Sequence, residues 1–283
     1  MSKGTRKARY AVLLLAIILS STLVFLPVPA YAASPKCGGS ITKSTTLKAN
    51  IGPCSGNGLV IGGNGITLNC AGHTVAGSGI DDGIVLSGRS KVVVKNCDVT
   101  GFEDGVYISG SSSNTFTSNI ASYNDYGFFL TGASSGNKLM DNTANYTTLG
   151  GFAIFSVSSS NRISGNTADG SDHYGFYVYA STNQKLTSNK GSFDGNNGFY
   201  LVSSSKITLT GNTASANGNG FYLYLSTGNK IGSNRADSNS GVGYEDTSTG
   251  SGTAGTASTY TLDECSSNTI GGSYPTGLCA PQA

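Results

Sequence analysis

Asp172 and His173 stand together just ahead of Tyr174, Tyr177 and Tyr179. A carboxylate beside an imidazole can move a proton. A polysaccharide lyase or epimerase needs such a base, plus a positive charge or Ca2+ to hold the developing anion. The competing reading is an exposed turn pair with no chemistry. Asp81 and Asp82 are the other paired acids, and a glycoside hydrolase needs two carboxylates several ångströms apart. No second acid cluster, histidine or arginine motif is expected to join them from the coils that follow. Asp104 and Asp125 fall near the same corner as Asp82 and Asp172, where a weak Ca2+ site is conceivable and solvated turn acids are the alternative. No cofactor and no metal ligand set is assigned. His73, in Gly72-His73-Thr74, reads as a turn or cap residue.

These side chains need a scaffold, and a repeat supplies it. Glycines open small apolar runs at 58, 83, 105, 127, 151, 175, 198, 220 and 241, spaced 21 to 25 residues apart. A second marker keeps step: Asn69, Asn96, Asn119, Asn142, Asn166, Asn189, Asn212 and Asn234. Self-similarity at a fixed period of this size means a solenoid. Inside each repeat the pattern has period two. The residues one and three after each glycine, such as Phe176 and Val178 or Phe221 and Leu223, are apolar throughout and should face a buried interior. Three residues before each asparagine stands another apolar side chain, Ile66, Val93, Phe116 and so on, marking a second strand. Two residues after it runs a row of small residues, broken by Asp98. The asparagines read as a structural ladder that satisfies turn backbone, with a ligand channel as the other use.

If those positions point in, the residues between them point out. One sheet face should then carry Tyr107, Phe129, Tyr177, Tyr200 and Tyr222, with Tyr179 and Tyr224 beside them. Tyrosine offers sugars a flat apolar face and a hydroxyl, so this row is the candidate ligand-binding surface. Simple stacking of aromatic rows on one another is the alternative.

Composition sets the class. Only 11% of the 283 residues are charged, tryptophan is absent and glycines number 41. That mixture suits neither a helical bundle nor disorder. A basic start to Arg9, an apolar run from Ala11 to Leu26 and Ala30-Tyr31-Ala32 read as a signal peptide over 1–32, or as an uncleaved anchor. Without those residues 13 basic side chains face 15 acidic ones, which argues against nucleic acid as a partner. No later segment is apolar enough to span a bilayer. Export permits disulfides, and clustering suggests Cys37–Cys54, Cys70–Cys97 and Cys265–Cys279, with metal binding and free thiols as alternatives. The expected organisation is an N-terminal cap over 33–57, repeats over 58–245, and a Gly/Ser/Thr-rich extension or cap over 246–283. The fold class is all-β: a single-stranded parallel β-helix of about nine coils with disulfide-tied ends.

The run 161–166 (NRISGN) followed by Gly175-Phe176-Tyr177-Val178 resembles the repeat of the right-handed, pectin-lyase-like parallel β-helix superfamily, which implies a right-handed coil. GLVIGGNGITLNCAGHTV (58–75) and VVVKNCDVTGF (92–102) resemble exported NosD-like repeat proteins. In pectin-active members the corresponding face binds polysaccharide, and the NosD name implies periplasmic copper handling. Copper favours His, Met or Cys, and His73, His173 and Met140 form no evident site. Asp172-His173 is similar to the D-P-H-D of mannuronan epimerases but lacks the proline and the second acid. The polygalacturonase signatures are not assembled. The functional expectation is a secreted, periplasmic or cell-surface module that binds a polysaccharide or cell-envelope glycan. A polysaccharide lyase or epimerase, and an adhesin or envelope scaffold, are the alternatives.

Overall fold

A computed structural model describes residues 35–281. The expected signal peptide lies outside the described residues. Each coil contributes short parallel strands to stacked sheets, because its β-branched and aromatic residues alternate while glycine, serine and asparagine occupy the corners. The first sheet has eleven strands, from Gly39–Ile41 to Gly271–Tyr274, and the second has ten, from Thr45–Thr46 to Thr259–Thr261. The third face combines a three-stranded and a six-stranded sheet, joined by single bridges at Ile120 and Thr143. Nine strands of the first sheet, Leu59–Ile61 to Val242–Asp246, belong to the nine repeats, and each end segment adds one more. The disulfides are Cys37–Cys54, Cys70–Cys97 and Cys265–Cys279, with Cα separations of 5.4, 4.6 and 5.8 Å.

The lumen is filled by like residues on like. Phe128, Phe152, Phe176, Phe199 and Phe221 are fully buried and stack nearly parallel, with ring centroids 4.7 to 4.9 Å apart. Tyr244 extends that stack by one rung at 4.9 Å from Phe221. The ninth coil therefore takes its phase from Gly243 rather than Gly241. Tyr244 pairs with Phe221, Glu245 with Tyr222 and Asp246 with Leu223. Asp246 consequently points inward, where it accepts a hydrogen bond from the buried Tyr260 hydroxyl at 3.0 Å.

The asparagine ladder is shorter than its sequence marker. It runs Asn119, Asn142, Asn166, Asn189, Asn212 and Asn234, and ends on Asp263. Each Oδ1 accepts from the backbone N–H and Nδ2 of the preceding member, and each Nδ2 also donates to a carbonyl one coil earlier, as Asn166 does to Leu139. Asn69 and Asn96 lie outside this row. Leu68 and Val94, not Ile66 and Val93, align with Phe116, which shifts the phase by two residues in the first of these coils and by one in the second. Cys97 then holds the ladder position, its N–H donating to Asn119 Oδ1 at 3.1 Å. Asn96 occupies the exposed left-handed corner (φ 53°) that Ser118, Asp141, Gly165, Ser188 and Gly211 fill in later coils. The same shift places Val99 in the row of Ala121 and Ala144, so Asp98 does not interrupt it.

Two further polar ladders line the interior. Asn114, Asn137, Asn161 and Gln184 form one. Asp194, Asn217, Asn239 and Asn268 form the other. All of these provide for corner backbone that would otherwise be stranded away from water.

Candidate functional site

The outer face of the first sheet carries the candidate residues. Strict alternation fails at the marker glycine, whose pro-side-chain direction is closed: a Cβ on Gly83 would lie 2.2 Å from Val99 Cγ1. The residue before the glycine therefore points outward as well as the residue two after it. Two outward columns result, not the alternation expected from a regular pleat. The first runs Asp82, Asp104, Tyr126, Gly150, Tyr174, Asn197 and Asn219. The second runs Val85, Tyr107, Phe129, Ala153, Tyr177, Tyr200, Tyr222 and Glu245.

The aromatic side chains pack into one continuous strip. Tyr177, Tyr200 and Tyr222 stack at 5.3 and 5.2 Å, and Tyr174 lies 4.9 Å from Tyr177 and 5.0 Å from Tyr200. Phe155 leans over the small Ala153, 5.2 Å from Phe129 and 4.7 Å from Tyr177, and so closes the gap. Tyr107 stands 6.0 Å from Phe129 at the other end of the strip. Tyr179 and Tyr224 flank the row and are 42% and 40% exposed, which leaves their rings open to a ligand. Burial pushes the Tyr177 and Tyr200 hydroxyls up to about 12, with neighbouring tyrosines adding to the shift. They are therefore neutral donors at ordinary pH.

Towards the C-terminal coils a groove of about 430 Å3 opens beside this strip. Tyr174, Tyr200 and Tyr222 supply its apolar side, and Asn196, Asn197 and Asn219 its amides. Asn219 Nδ2 donates to Glu245 Oε2 at 3.2 Å, and burial raises the Glu245 carboxyl above its ordinary value. Rings flanked by amides and a carboxyl can stack on a pyranose and hydrogen-bond its hydroxyls.

The opposite end is acidic. Asp82 and Asp104 are register partners on adjacent strands, and Asp81, Glu103 and Asp125 lie at the corner beside them. The following coils thus do bring acids to the Asp81-Asp82 pair, contrary to the sequence-based expectation. Burial, then the charges of Asp82, Glu103 and Asp125, raises Asp104 to about 8. Burial, Glu103 and Asp81 raise Asp82 to about 6. Burial and the Asp104 charge raise the Tyr126 hydroxyl. A carboxyl neutral at pH 7 can donate a proton or a hydrogen bond.

Asp172 and His173 are both exposed on the corner before Tyr174. His173 Nδ1 lies 2.9 Å from Asn196 Nδ2, and the Asp172 N–H donates to the Thr147 carbonyl. Among the described residues neither forms an ion pair. The tyrosines missed from sequence, Tyr126 and Tyr174, share one signal with Asp104. Each immediately precedes a marker glycine.

In comparisons with known proteins, no curated sequence matches significantly. Among solved structures, the A-module of the Azotobacter vinelandii mannuronan C-5 epimerase AlgE6 is similar, with a TM-score of 0.61 and 13% identity over 86% of this chain and 78% of that one. The periplasmic alginate epimerase AlgG gives 0.55 and 16% identity over 84% and 72%. A GH87 α-1,3-glucanase catalytic domain gives 0.52 and 14% over 89% of this chain, which spans 61% of that domain's length. At such identities the likeness shows the fold.

A family model described as "Periplasmic copper-binding protein (NosD)" matches residues 56–277. The side chains present do not fit copper, which is held by convergent His, Met or Cys. All six cysteines are in disulfides, and His73 sits 3.2 Å from Asn50 Oδ1, coils away from His173 and Met140. Among the described residues no three His, Cys, Asp or Glu side chains converge as a metal site. The family match spans most of the stacked coils described above, and on that ground the chain belongs to the NosD family of parallel β-helix proteins.

Proposed function

We propose that this protein is an exported glycan-binding module of the periplasm or cell surface, holding an extended saccharide chain along its Tyr-rich face. The observation that carries the reading is the groove in which Tyr174, Tyr200 and Tyr222 face Asn196, Asn197 and Asn219. Relatives named for alginate epimerisation and α-1,3-glucan cleavage support a saccharide ligand. The periplasmic family description supports the location, and no described helix is long and apolar enough to cross a membrane.

The test is calorimetric titration of the protein with alginate, polygalacturonate and neutral glucans. Tyr200→Ala combined with Tyr222→Ala removes two stacking rings, each contributing about 1 to 2 kcal/mol, so Kd should rise at least about tenfold. Absence of binding to every glycan, or an unchanged Kd in the double variant, would refute the reading.

The buried, proton-retaining Asp104 favours a second reading, polysaccharide lyase or epimerase chemistry. Its proton-transfer groups would then be Asp104 and Asp82 in place of Asp172 and His173. Unsaturated or epimerised products in the same mixtures, with and without Ca2+, would identify it.

A further inference from the structure

The second sheet carries a different recognition surface. Lys138, Arg162 and Lys185 are register partners on successive strands, and the column continues through Thr208 to Lys230. On the rung where Thr208 interrupts it, Lys206 emerges from the corner two residues earlier. Five consecutive rungs therefore each present one exposed cation. At about 4.8 Å per rung the file extends roughly 19 Å. Arg162, Lys185, Lys206 and Thr208 also line a shallow groove of about 310 Å3.

None of the five side chains makes an ion pair or hydrogen bond with a described residue. The ion pairs among the described residues, Lys190–Asp169 and Arg235–Asp237, lie on the third face. Asp141, the nearest acid in sequence to Lys138, turns instead towards Gly165 at the next corner. Like charges directly opposite on neighbouring strands repel. Here two such pairs, Lys138 with Arg162 and Arg162 with Lys185, follow one another, and Lys206 and Lys230 extend the file. A polyanion running along the file would relieve it.

We propose that this stripe binds a linear carboxylated polysaccharide, laid parallel to the solenoid axis on a face separate from the tyrosine strip. The column beside the cations, Met140, Ser164, Thr187 and Thr210, carries hydroxyl side chains at three of its four positions. That sheet exterior presents no aromatic ring on which a nucleobase could stack. It also has no exposed large apolar side chain to insert into a lipid surface. A single file of evenly spaced cations fits a chain with one carboxylate per sugar.

The test titrates the protein with polygalacturonate, its methyl-esterified neutral form, single-stranded DNA and phosphatidylglycerol vesicles. With four to five charges paired, affinity for polygalacturonate should fall on the order of fiftyfold between about 50 and about 200 mM salt. Arg162→Gln, Lys185→Gln and Lys206→Gln together should cut that fall to about sevenfold, with an unchanged circular dichroism spectrum. Lys138→Gln with Lys230→Gln should reduce it in part. The Tyr200→Ala, Tyr222→Ala variant should keep it, which separates this surface from the tyrosine face. A triple variant with wild-type salt dependence overturns the proposal. So does tighter binding to DNA or vesicles, or equal binding to the esterified polymer.

Discussion

Asp194 occupies a ladder position at which Asn217, Asn239 and Asn268 follow in the next three coils, and replacing it with asparagine should strengthen the protein. Its Oδ1 accepts from the Ser171 N–H at 2.9 Å, but its Oδ2 is buried with no partner. The amide nitrogens of Asn217 and Asn239 donate at the corresponding point to the carbonyls of Gly191 and Ala214. Burial is the main cause that raises the Asp194 carboxyl to about 8, against lesser lowering by its hydrogen bonds to Ser171. The folded state thus keeps a proton that the unfolded chain releases near pH 4. Stability from this group is fully present below about pH 4 and declines as pH rises towards 8. Each pH unit in that window is worth up to about 1.4 kcal/mol, a ceiling of about 4 kcal/mol at pH 7. Asp194→Asn removes the titration and restores the missing donor. Urea unfolding of wild type and variant from pH 4 to pH 9 isolates the group, because all other titrations cancel in the difference. The variant's advantage should widen with pH and level off above about pH 8. A pH-independent difference, or a variant weaker than wild type at pH 8, would refute the reasoning.

Two other substitutions bear on the lumen. The Tyr244 hydroxyl is buried without a partner at the end of the phenylalanine stack, so Tyr244→Phe should gain about 1 to 3 kcal/mol, read as a higher urea midpoint. Asn166→Ala strands the Asn142 N–H and the Leu139 carbonyl. It should cost roughly 2 to 6 kcal/mol and speed hydrogen exchange at Asn142 before remote coils.

The coil and its interior were legible from periodicity, since similar environments recur every 21 to 25 residues and a period-two pattern has one burial solution, and the disulfide partners from the clustering of cysteines near the two ends. What escaped was local phase. Asn96 and Asn119 are both asparagines in similar strings, yet one holds a left-handed corner and the other a buried ladder position, and the difference lies in whether Val93 or Val94 faces inward. Asparagine suits both positions, so residue type could not separate them. The same limit applied to the surface. Two consecutive inward positions, the marker glycine and the residue after it, leave Asp82, Asp104, Tyr126 and Tyr174 on the outer face, which strict alternation cannot anticipate. The cationic file was hidden because Lys138, Arg162, Lys185 and Lys206 lie more than twenty residues apart and meet only when the coils stack.

The termination of the main ladder at Asp263 sets a polarity on the whole rod. An asparagine both takes and gives, so any coil built around one can hand the chain of bonds to its successor. Ionised aspartate only takes: Oδ1 receives the Asn234 backbone N–H and Nδ2, and Oδ2 receives the Thr261 N–H. Duplicating a repeat upstream of this residue would lengthen the molecule without leaving an unmatched group. Adding one downstream would require a donor that the residue lacks once it has lost its proton. Aspartate here works as a stop signal, and variation in length among such solenoids should accumulate on its N-terminal side.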